Sequence, residues 1–111
     1  MQNQTIKDGF LQGISALNDC QSADDVADLL RTAGITGRRV DPWGCPVSRW
    51  LQSCAGTPDI SVGTFYADMT LRQAGELRSF DRPLPRAARQ FITALDSNLY
   101  PELLEPSGFD R

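Results

Sequence analysis

The stretch that most constrains the fold lies between residues 35 and 56, where a loop containing glycine and arginine leads into an amphipathic segment. Pro46 suits the first turn of a helix, because its φ is already helical and the N–H that it lacks would have no partner there. We therefore predict a helix that begins at Pro46, with Cys45 at its N-cap position, and that ends at Gly56 and Pro58. Its apolar residues follow helical spacing and define the face expected to be buried: Val47, Trp50, Leu51 and Cys54.

Two further helices are predicted before this stretch. Residues 4–17 carry an apolar stripe at helical spacing, although Gly9 and Gly13 each weaken the helix by roughly 1 kcal/mol relative to alanine. The spacing of these glycines would let another element pack closely, although fraying of the helix is the simpler interpretation. Ser22 is a favourable N-cap for a second helix, which Gly34 is placed to end. A short connection between the two helices predicts an antiparallel hairpin.

The pattern changes to alternation in the second half of the chain. Residues 60–71 are rich in strand-forming side chains, which alternate from residue 60 to residue 66, and residues 76–80 alternate again after a turn candidate at 73–76. We predict a two-stranded hairpin with a bulge near Gly63 or Ala67. This hairpin must lie against the helices, because an isolated hairpin is only marginally stable in water.

The last predicted helix begins near Pro85 and ends near Ser97. One further turn is expected at residues 102–105, followed by a frayed tail at 106–111. The predicted fold class is α+β and mainly helical, with four helices and a small antiparallel β-hairpin between helix 3 and helix 4 (α-α-α-β-β-α), in one domain over residues 1–111. The last helix has the strongest apolar stripe, formed by Ala88, Phe91, Ile92, Leu95 and Leu99.

The content of histidine, cysteine and apolar residues excludes several classes of function. The chain has 111 residues, no histidine and three cysteines. Serine–histidine, cysteine–histidine and histidine–metal chemistries are therefore excluded within this chain. An odd cysteine count without a recognisable signal peptide argues against a disulfide framework and predicts a cytoplasmic protein. No apolar run approaches the roughly 20 residues that span a bilayer, so we expect no membrane partner, and we expect neither a cofactor nor a metal.

Charge is distributed unevenly along the chain, whose net charge is −3. Residues 31–89 carry nine arginines against five acidic residues, whereas the segments on either side are acidic. A basic middle segment can form a binding face. We favour internal compensation by the acidic helices, because nucleic-acid-binding domains are usually basic overall and this chain is acidic.

Arg38, Arg39, Trp43 and Arg49 form the first candidate binding site. A loop that carries arginines and ends at a helix N-terminus would hold a phosphate or a carboxylate, since guanidinium and free backbone N–H groups both bind anions. Trp43 would stack on a base, contact another protein or cover the core. No glycine-rich nucleotide-binding motif accompanies these residues. In the alternative interpretation, the arginines pair internally with Asp41 and with the acidic residues of helix 2.

Three more arginines and one cysteine are weaker candidates. The spacing of Arg82, Arg86 and Arg89 would place them on one face of the last helix, where they would contact phosphate groups or remain solvated. Cys45 lies at a predicted helix N-terminus near arginines, a setting that lowers the pKa of a reactive thiol. No histidine assists it, so a buried structural thiol is the preferred interpretation. We predict no catalytic residue and no metal ligand.

Two segments resemble small uncharacterised proteins of actinobacteria and their phages. The segment C-P-V-S-R-W-L at 45–51 is similar to their C-P-[LV]-x-[RK]-[WY]-L helix start. The segment F-I-T-A-L-D-S-N-L-Y-P-E-L-L at 91–104 resembles their last helix. The similarity covers residues 23–104 and includes a helical hairpin before the loop. The resemblance supports the predicted fold and implies no activity.

These observations lead to two hypotheses from different classes. The first is a small non-enzymatic interaction protein, encoded by a phage or a mobile element, that binds another protein through the loop at 38–49. The alternative is a nucleic-acid-binding accessory module that adds Arg82, Arg86 and Arg89 to the same loop, and its affinity would fall steeply with salt. Neither hypothesis identifies the partner or the oligomeric state.

Overall fold

The computed structural model describes residues 2–105, with side chains from residue 4 onward, and its elements follow the order α-α-α-β-β-β-α. The helices are α1 (Gln2–Asn18), α2 (Ala23–Ala33), α3 (Pro46–Ala55) and α4 (Arg86–Asp96). The strands are β1 (Ile60–Val62), β2 (Tyr66–Gln73) and β3 (Glu76–Pro83), and a short 3-10 helix follows at Pro101–Leu103. The frayed tail predicted at 106–111 lies outside the described residues.

The ends of α2 and α3 confirm the capping residues predicted from the sequence. Ser22 has an extended backbone, and its hydroxyl accepts a hydrogen bond from an N–H in the first turn of α2 at 3.2 Å. Gly34 ends α2 at φ 71°, a left-handed conformation that glycine adopts without strain. Cys45 caps α3, where its Sγ accepts a hydrogen bond from the Ser48 N–H at 3.4 Å, and Pro46 is the first helical residue. Local chemistry is therefore sufficient to place these helix ends.

Two glycines allow α1 and α3 to pack very closely. A Cβ atom on Gly9 would lie 2.2 Å from Cys54 O, and one on Gly13 would lie 2.9 Å from the Leu51 side chain. Trp50 is half-buried against the core, and its Nε1 donates a hydrogen bond to Gly13 O at 3.2 Å. The glycines that weaken α1 by their helix propensity therefore have a packing role, and the tryptophan predicted to point inward links the two helices.

The sheet has three strands in the order β1-β2-β3, so the prediction of a two-stranded hairpin is wrong in strand number. The stretch 60–71, predicted as the first strand of the hairpin, is split by a turn in which the Gly63 N–H donates to Tyr66 O at 2.9 Å. Val62 pairs with Ala67 across this turn. The turn stands where a bulge near Gly63 or Ala67 was predicted. Buried positions are even-numbered in β1 and odd-numbered in β2, whereas one continuous strand would keep a single parity.

The second turn, predicted at residues 73–76, is confirmed. Ala74 and Gly75 both have positive φ, at 52° and 81°, as the favoured two-residue hairpin turn requires. β3 runs beyond its predicted end at Phe80, because its pairing with β2 persists as far as Pro83. Proline is tolerated there because β3 is an edge strand.

The helices and one face of the sheet enclose a single cluster of buried side chains. Its largest members include Phe10 from α1, Leu51 from α3, Met69 from β2 and Phe91 from α4. Nearly all of β3 is exposed. The observed class is the predicted α+β with four helices, and the open edge of the sheet lies at β3.

Candidate functional site

The arginines of the 38–49 loop meet a carboxylate from the C-terminal segment. Arg38 Nε donates to Glu105 Oε1 at 2.7 Å, and Arg49 Nη1 donates to Glu105 Oε2 at 2.7 Å. Arg49 also donates through Nη2 to Glu105 Oε1 at 3.3 Å, so its contact is bidentate. Backbone hydrogen bonds join the same segments, because Gly37 donates to Leu103 O and accepts from the Glu105 N–H, both at 2.9 Å. We call Arg38, Arg49 and Glu105 the loop clamp.

The charged groups of the loop clamp compensate one another within the chain. Arg49 and then Arg38 lower the pKa of Glu105 to about 2, because both guanidinium groups hydrogen-bond its ionised form. Glu105 in turn raises the pKa of Arg38, and Asp41 adds a weaker contact at 3.4 Å. The predicted pairing with Asp41 is therefore confirmed, but the predicted partners in helix 2 are wrong. The main carboxylate belongs to residue 105, whereas Asp28 of α2 pairs with Arg31 at 2.6 Å.

Arg39 and Val40 connect the loop to the end of α4. Arg39 Nη1 donates to Asn98 Oδ1, and the Val40 N–H donates to Asp96 Oδ1 at 3.3 Å. Val40 has φ 52°, which is unusual for a β-branched residue, and its side chain is 80% exposed. All three arginines of the first candidate site therefore have partners within the chain.

Trp43 lies on the surface and is 60% exposed. Its backbone holds it in place, since its N–H donates to Asp41 Oδ1 at 3.1 Å and its carbonyl accepts from Gln52 Nε2 at 2.8 Å. The exposure favours the predicted surface roles, a contact with a base or with another protein, over the predicted cover for the core. The cations predicted to act with it are engaged elsewhere.

Cys45 has the setting of a structural thiol. It is buried, and burial raises the pKa of its thiol. Burial also raises the pKa of Cys20 and Cys54, and all three cysteines are unpaired. A thiol that stays protonated near neutral pH is a poor nucleophile.

Arg82 does not lie on the last helix, and that prediction is wrong. It belongs to β3, where its Nη1 donates to Asp81 O at 2.8 Å. The helix begins only at Arg86, because Pro85 has the extended ψ of 154° and a proline further disfavours helix in the residue before it. Arg82 therefore cannot share a helical face with Arg86 and Arg89.

Arg86 and Arg89 do lie together, beside an open groove of about 630 Å³ on the surface of α4. Exposed Arg86 forms no ion pair with any side chain of residues 4–105, and the same holds for Arg89. The buried Nε of Arg89 has no hydrogen-bond partner in this part of the chain. We call this surface the α4 groove and define it by Phe65, Arg86, Arg89, Thr93, Ala94 and Leu99.

Two exposed apolar side chains complete the α4 groove. Phe65 is 59% exposed, and its position is set by a backbone bond from the Leu84 N–H to Phe65 O at 2.8 Å. Leu99 is 56% exposed, although its spacing placed it in the buried stripe of the last helix. It leaves that stripe because α4 ends at Asp96 and Asn98 turns the chain at φ 72°. The sequence carries no signal that would have assigned either residue to a groove.

Comparisons of the chain with protein-family models, with curated proteins and with solved structures give no match. Within residues 2–105, no group of three or more histidine, cysteine, aspartate or glutamate residues is arranged to hold a metal ion. In the same range, no helix is both long enough and apolar enough to cross a membrane.

Proposed function

We propose that this protein is a small interaction protein whose α4 groove binds an acidic segment of a partner protein that carries a large apolar side chain. The observation that supports this proposal is the pair Arg86 and Arg89, two guanidinium groups without a carboxylate partner among the described residues, next to exposed Phe65 and Leu99. A carboxylate from outside would satisfy both arginines, and an apolar side chain would cover the exposed carbon surface between them.

Several other arginines support this assignment, because they already pair with carboxylates of the same chain. Arg38 and Arg49 hold Glu105, and Arg31 holds Asp28 and Glu102. Arg78 lies 3.3 Å from Glu76. An arginine whose charge is already compensated gains little from an external anion, because binding must first break the internal pair. The α4 groove is therefore a better anion site than the loop predicted from the sequence.

Charge and surface character favour an acidic protein segment over nucleic acid. The chain has a net charge of −3, which repels a highly charged nucleic acid more strongly than a short acidic segment with few charges. Two free arginines are few for a surface that tracks a phosphate backbone, where affinity grows with the number of phosphates contacted. The apolar side chains of the groove match a leucine or phenylalanine side chain of a partner.

The proposal includes a non-enzymatic role and a cytoplasmic location. The raised pKa of each cysteine thiol supports the first, since it leaves no activated thiol among the three. Three unpaired cysteines support a reducing compartment. A phage or mobile-element origin stays a prediction that rests on the resemblance of residues 45–51 and 91–104.

The test is a fluorescence-anisotropy titration with a labelled ten-residue peptide in which glutamates flank two leucines. We expect the double variant Arg86→Gln/Arg89→Gln to bind this peptide at least tenfold more weakly, because charge-assisted hydrogen bonds are each worth about 1.5–3 kcal/mol. Phe65→Ser should weaken binding of this peptide but not of a version with serines in place of leucines. Arg78→Gln is the matched control, since it removes one exposed arginine outside the groove.

Three outcomes would contradict the proposal. The first is peptide binding that the double variant leaves unchanged, and the second is no binding by the wild type at millimolar peptide. The third is tighter binding of a single-stranded oligothymidine than of the peptide, with a steep salt dependence, which would replace this proposal by the nucleic-acid alternative.

A further inference from the structure

The outer edge of β3 is an unpaired strand edge. β3 is the last strand in the order β1-β2-β3, and it is exposed along nearly its whole length of eight residues. The opposite edge strand, β1, has three residues, and its Val62 N–H already donates to Pro42 O at 2.8 Å. Long exposed edges invite pairing with another strand. β3 is thus the edge at which this sheet can be extended.

The register of the sheet shows which backbone groups point outward. In an antiparallel ladder, hydrogen-bonded residue pairs alternate with pairs that are not hydrogen-bonded. The Leu84 N–H donates to Phe65 O, so every second residue pair between β2 and β3, counted from this one, is hydrogen-bonded. Arg78 and Phe80 therefore direct their backbone groups towards β2. The alternate residues Leu77, Ser79 and Asp81 direct theirs away from the sheet, and no backbone group of residues 2–105 pairs with them.

Charge complementarity selects one partner and one register for this edge. If two copies of β3 pair antiparallel with Ser79 opposite Ser79, seven residues of each strand overlap, from Glu76 to Arg82. Glu76 of each copy then lies opposite Arg82 of the other, on one face of the sheet. Arg78 lies opposite Phe80, an uncharged residue whose ring is already covered by Lys7 at 4.4 Å, so this pair adds no repulsion between the strands.

The neighbouring registers are less favourable. Centring the pair on Phe80 places Arg78 opposite Arg82 twice, and centring it on Arg78 places that arginine opposite itself. Centring it on Asp81 opposes two carboxylates. Like charges directly opposite each other destabilise a strand pair. A centre at Leu77 avoids repulsion but leaves an overlap of only three residues of each strand, from Glu76 to Arg78.

We propose that two copies of this chain associate through their β3 edges, with Ser79 at the two-fold axis, to form a continuous six-stranded sheet. The outward N–H and C=O groups of Leu77, Ser79 and Asp81 form the new ladder. Pro83, which has no N–H, and Gly75, which lies in the turn, mark its two ends. Arg82 exchanges its contact with Asp81 O for the carboxylate of Glu76 in the other copy. That carboxylate already lies 3.3 Å from Arg78 of its own chain, and its second oxygen accepts the added guanidinium. This inference does not depend on the α4 groove, which lies on other elements.

The test measures the mass of the protein by sedimentation equilibrium over a concentration range from micromolar to millimolar. We expect a monomer–dimer equilibrium that Arg82→Glu weakens at least tenfold, because this variant opposes two acidic residues on each side of the axis. The double variant Glu76→Arg/Arg82→Glu restores the opposite-charge pairs in reverse and should recover most of the dimer. Asp19→Arg, a charge change in an exposed turn far along the chain from β3, is the control.

A second variant tests the backbone ladder itself. Ser79→Pro removes a donor that points away from β2, so it should abolish the dimer and retain the far-ultraviolet circular dichroism of the monomer. Wild-type protein that stays monomeric at millimolar concentration would overturn the proposal. So would a dimer that persists equally in Arg82→Glu and in a folded Ser79→Pro, or one that the reversed charge pair fails to recover.

Discussion

The loop clamp and the α4 groove contain the same kind of side chain in opposite states. In the clamp, two arginines share one carboxylate, which accepts three guanidinium hydrogen bonds from Arg38 and Arg49. In the groove, Arg86 and Arg89 have no ion pair within residues 4–105, and one buried nitrogen of Arg89 has no hydrogen-bond partner there. The first pair stabilises the contact between two distant segments of the chain, whereas the second is available for a ligand.

The difference shows why a cluster of arginines in a sequence does not by itself identify a binding surface. Glu105 is 67 residues from Arg38 and 56 from Arg49, so local spacing gives no indication of the pairing. The backbone bridge between Gly37 and Leu104 brings the carboxylate to the loop. The role of each arginine therefore depends on which carboxylates the fold places beside it. Three measurements of stability test this dependence.

The largest effect is expected from Glu105→Lys. This change removes the shared carboxylate and adds a third positive charge beside Arg38 and Arg49. The segment cannot easily move away from this repulsion, because the neighbouring Leu103 side chain is buried in the core. We expect the midpoint of thermal unfolding to fall by roughly 5 °C or more. The same charge change in Asp19→Lys, in the exposed turn after α1, should shift it by less than a third of that amount. Equal shifts for the two variants would show that the clamp contributes nothing specific.

Much of the helical structure was predictable because its determinants are local. Ser22, Gly34, Cys45 and Pro46 each act within one helical turn, and their chemistry places the ends of α2 and α3. The spacing of the glycines in α1 allowed a close approach by another element, but the sequence does not indicate that this element is α3.

The sheet and the groove were not predictable for a different reason. The alternation over residues 60–66 is ambiguous, because a strand and a turn that exposes Phe65 and Tyr66 give similar patterns of side chains. Only the change of buried parity between β1 and β2 reveals the turn, and burial is a tertiary property. Leu99 was misassigned for the same reason, since helical spacing continues in the sequence after the helix itself has ended at Asp96.

A smaller effect of opposite sign is expected from Arg89→Met. Methionine keeps the apolar length of the arginine stem and removes the buried nitrogen that lacks a hydrogen-bond partner, a group whose burial is unfavourable. We expect the unfolding midpoint to rise by roughly 2 °C. The matched variant Arg49→Met should lower the midpoint, because it breaks a bidentate contact with Glu105. Equal destabilisation by Arg89→Met and Arg49→Met would contradict the difference between an arginine paired with Glu105 and one whose buried nitrogen has no partner among the described residues.

The smallest effect is a pH dependence of stability to which the loop clamp should contribute and the α4 groove should not. The pKa of Glu105 is lowered to about 2 in the folded chain, from an ordinary value of 4.5, because the guanidinium groups of Arg49 and Arg38 stabilise its carboxylate. A lowered pKa means that the unfolded chain binds this proton more tightly, so the contribution of Glu105 is complete above pH 4.5 and is lost as the pH falls towards 2. The unfolding midpoint of the wild type should therefore decline through this range, and the difference in midpoint between wild type and Glu105→Gln should narrow until it vanishes near pH 2.

Some decline should remain in Glu105→Gln, because Arg31 also lowers the pKa of Glu102. Arg86→Gln should run parallel to the wild type throughout, since no carboxylate of residues 4–105 pairs with that arginine. A gap that stays constant from pH 5 to pH 2.5 would mean that Glu105 titrates alike in the folded and unfolded chains, and that the clamp acts through packing and not through charge.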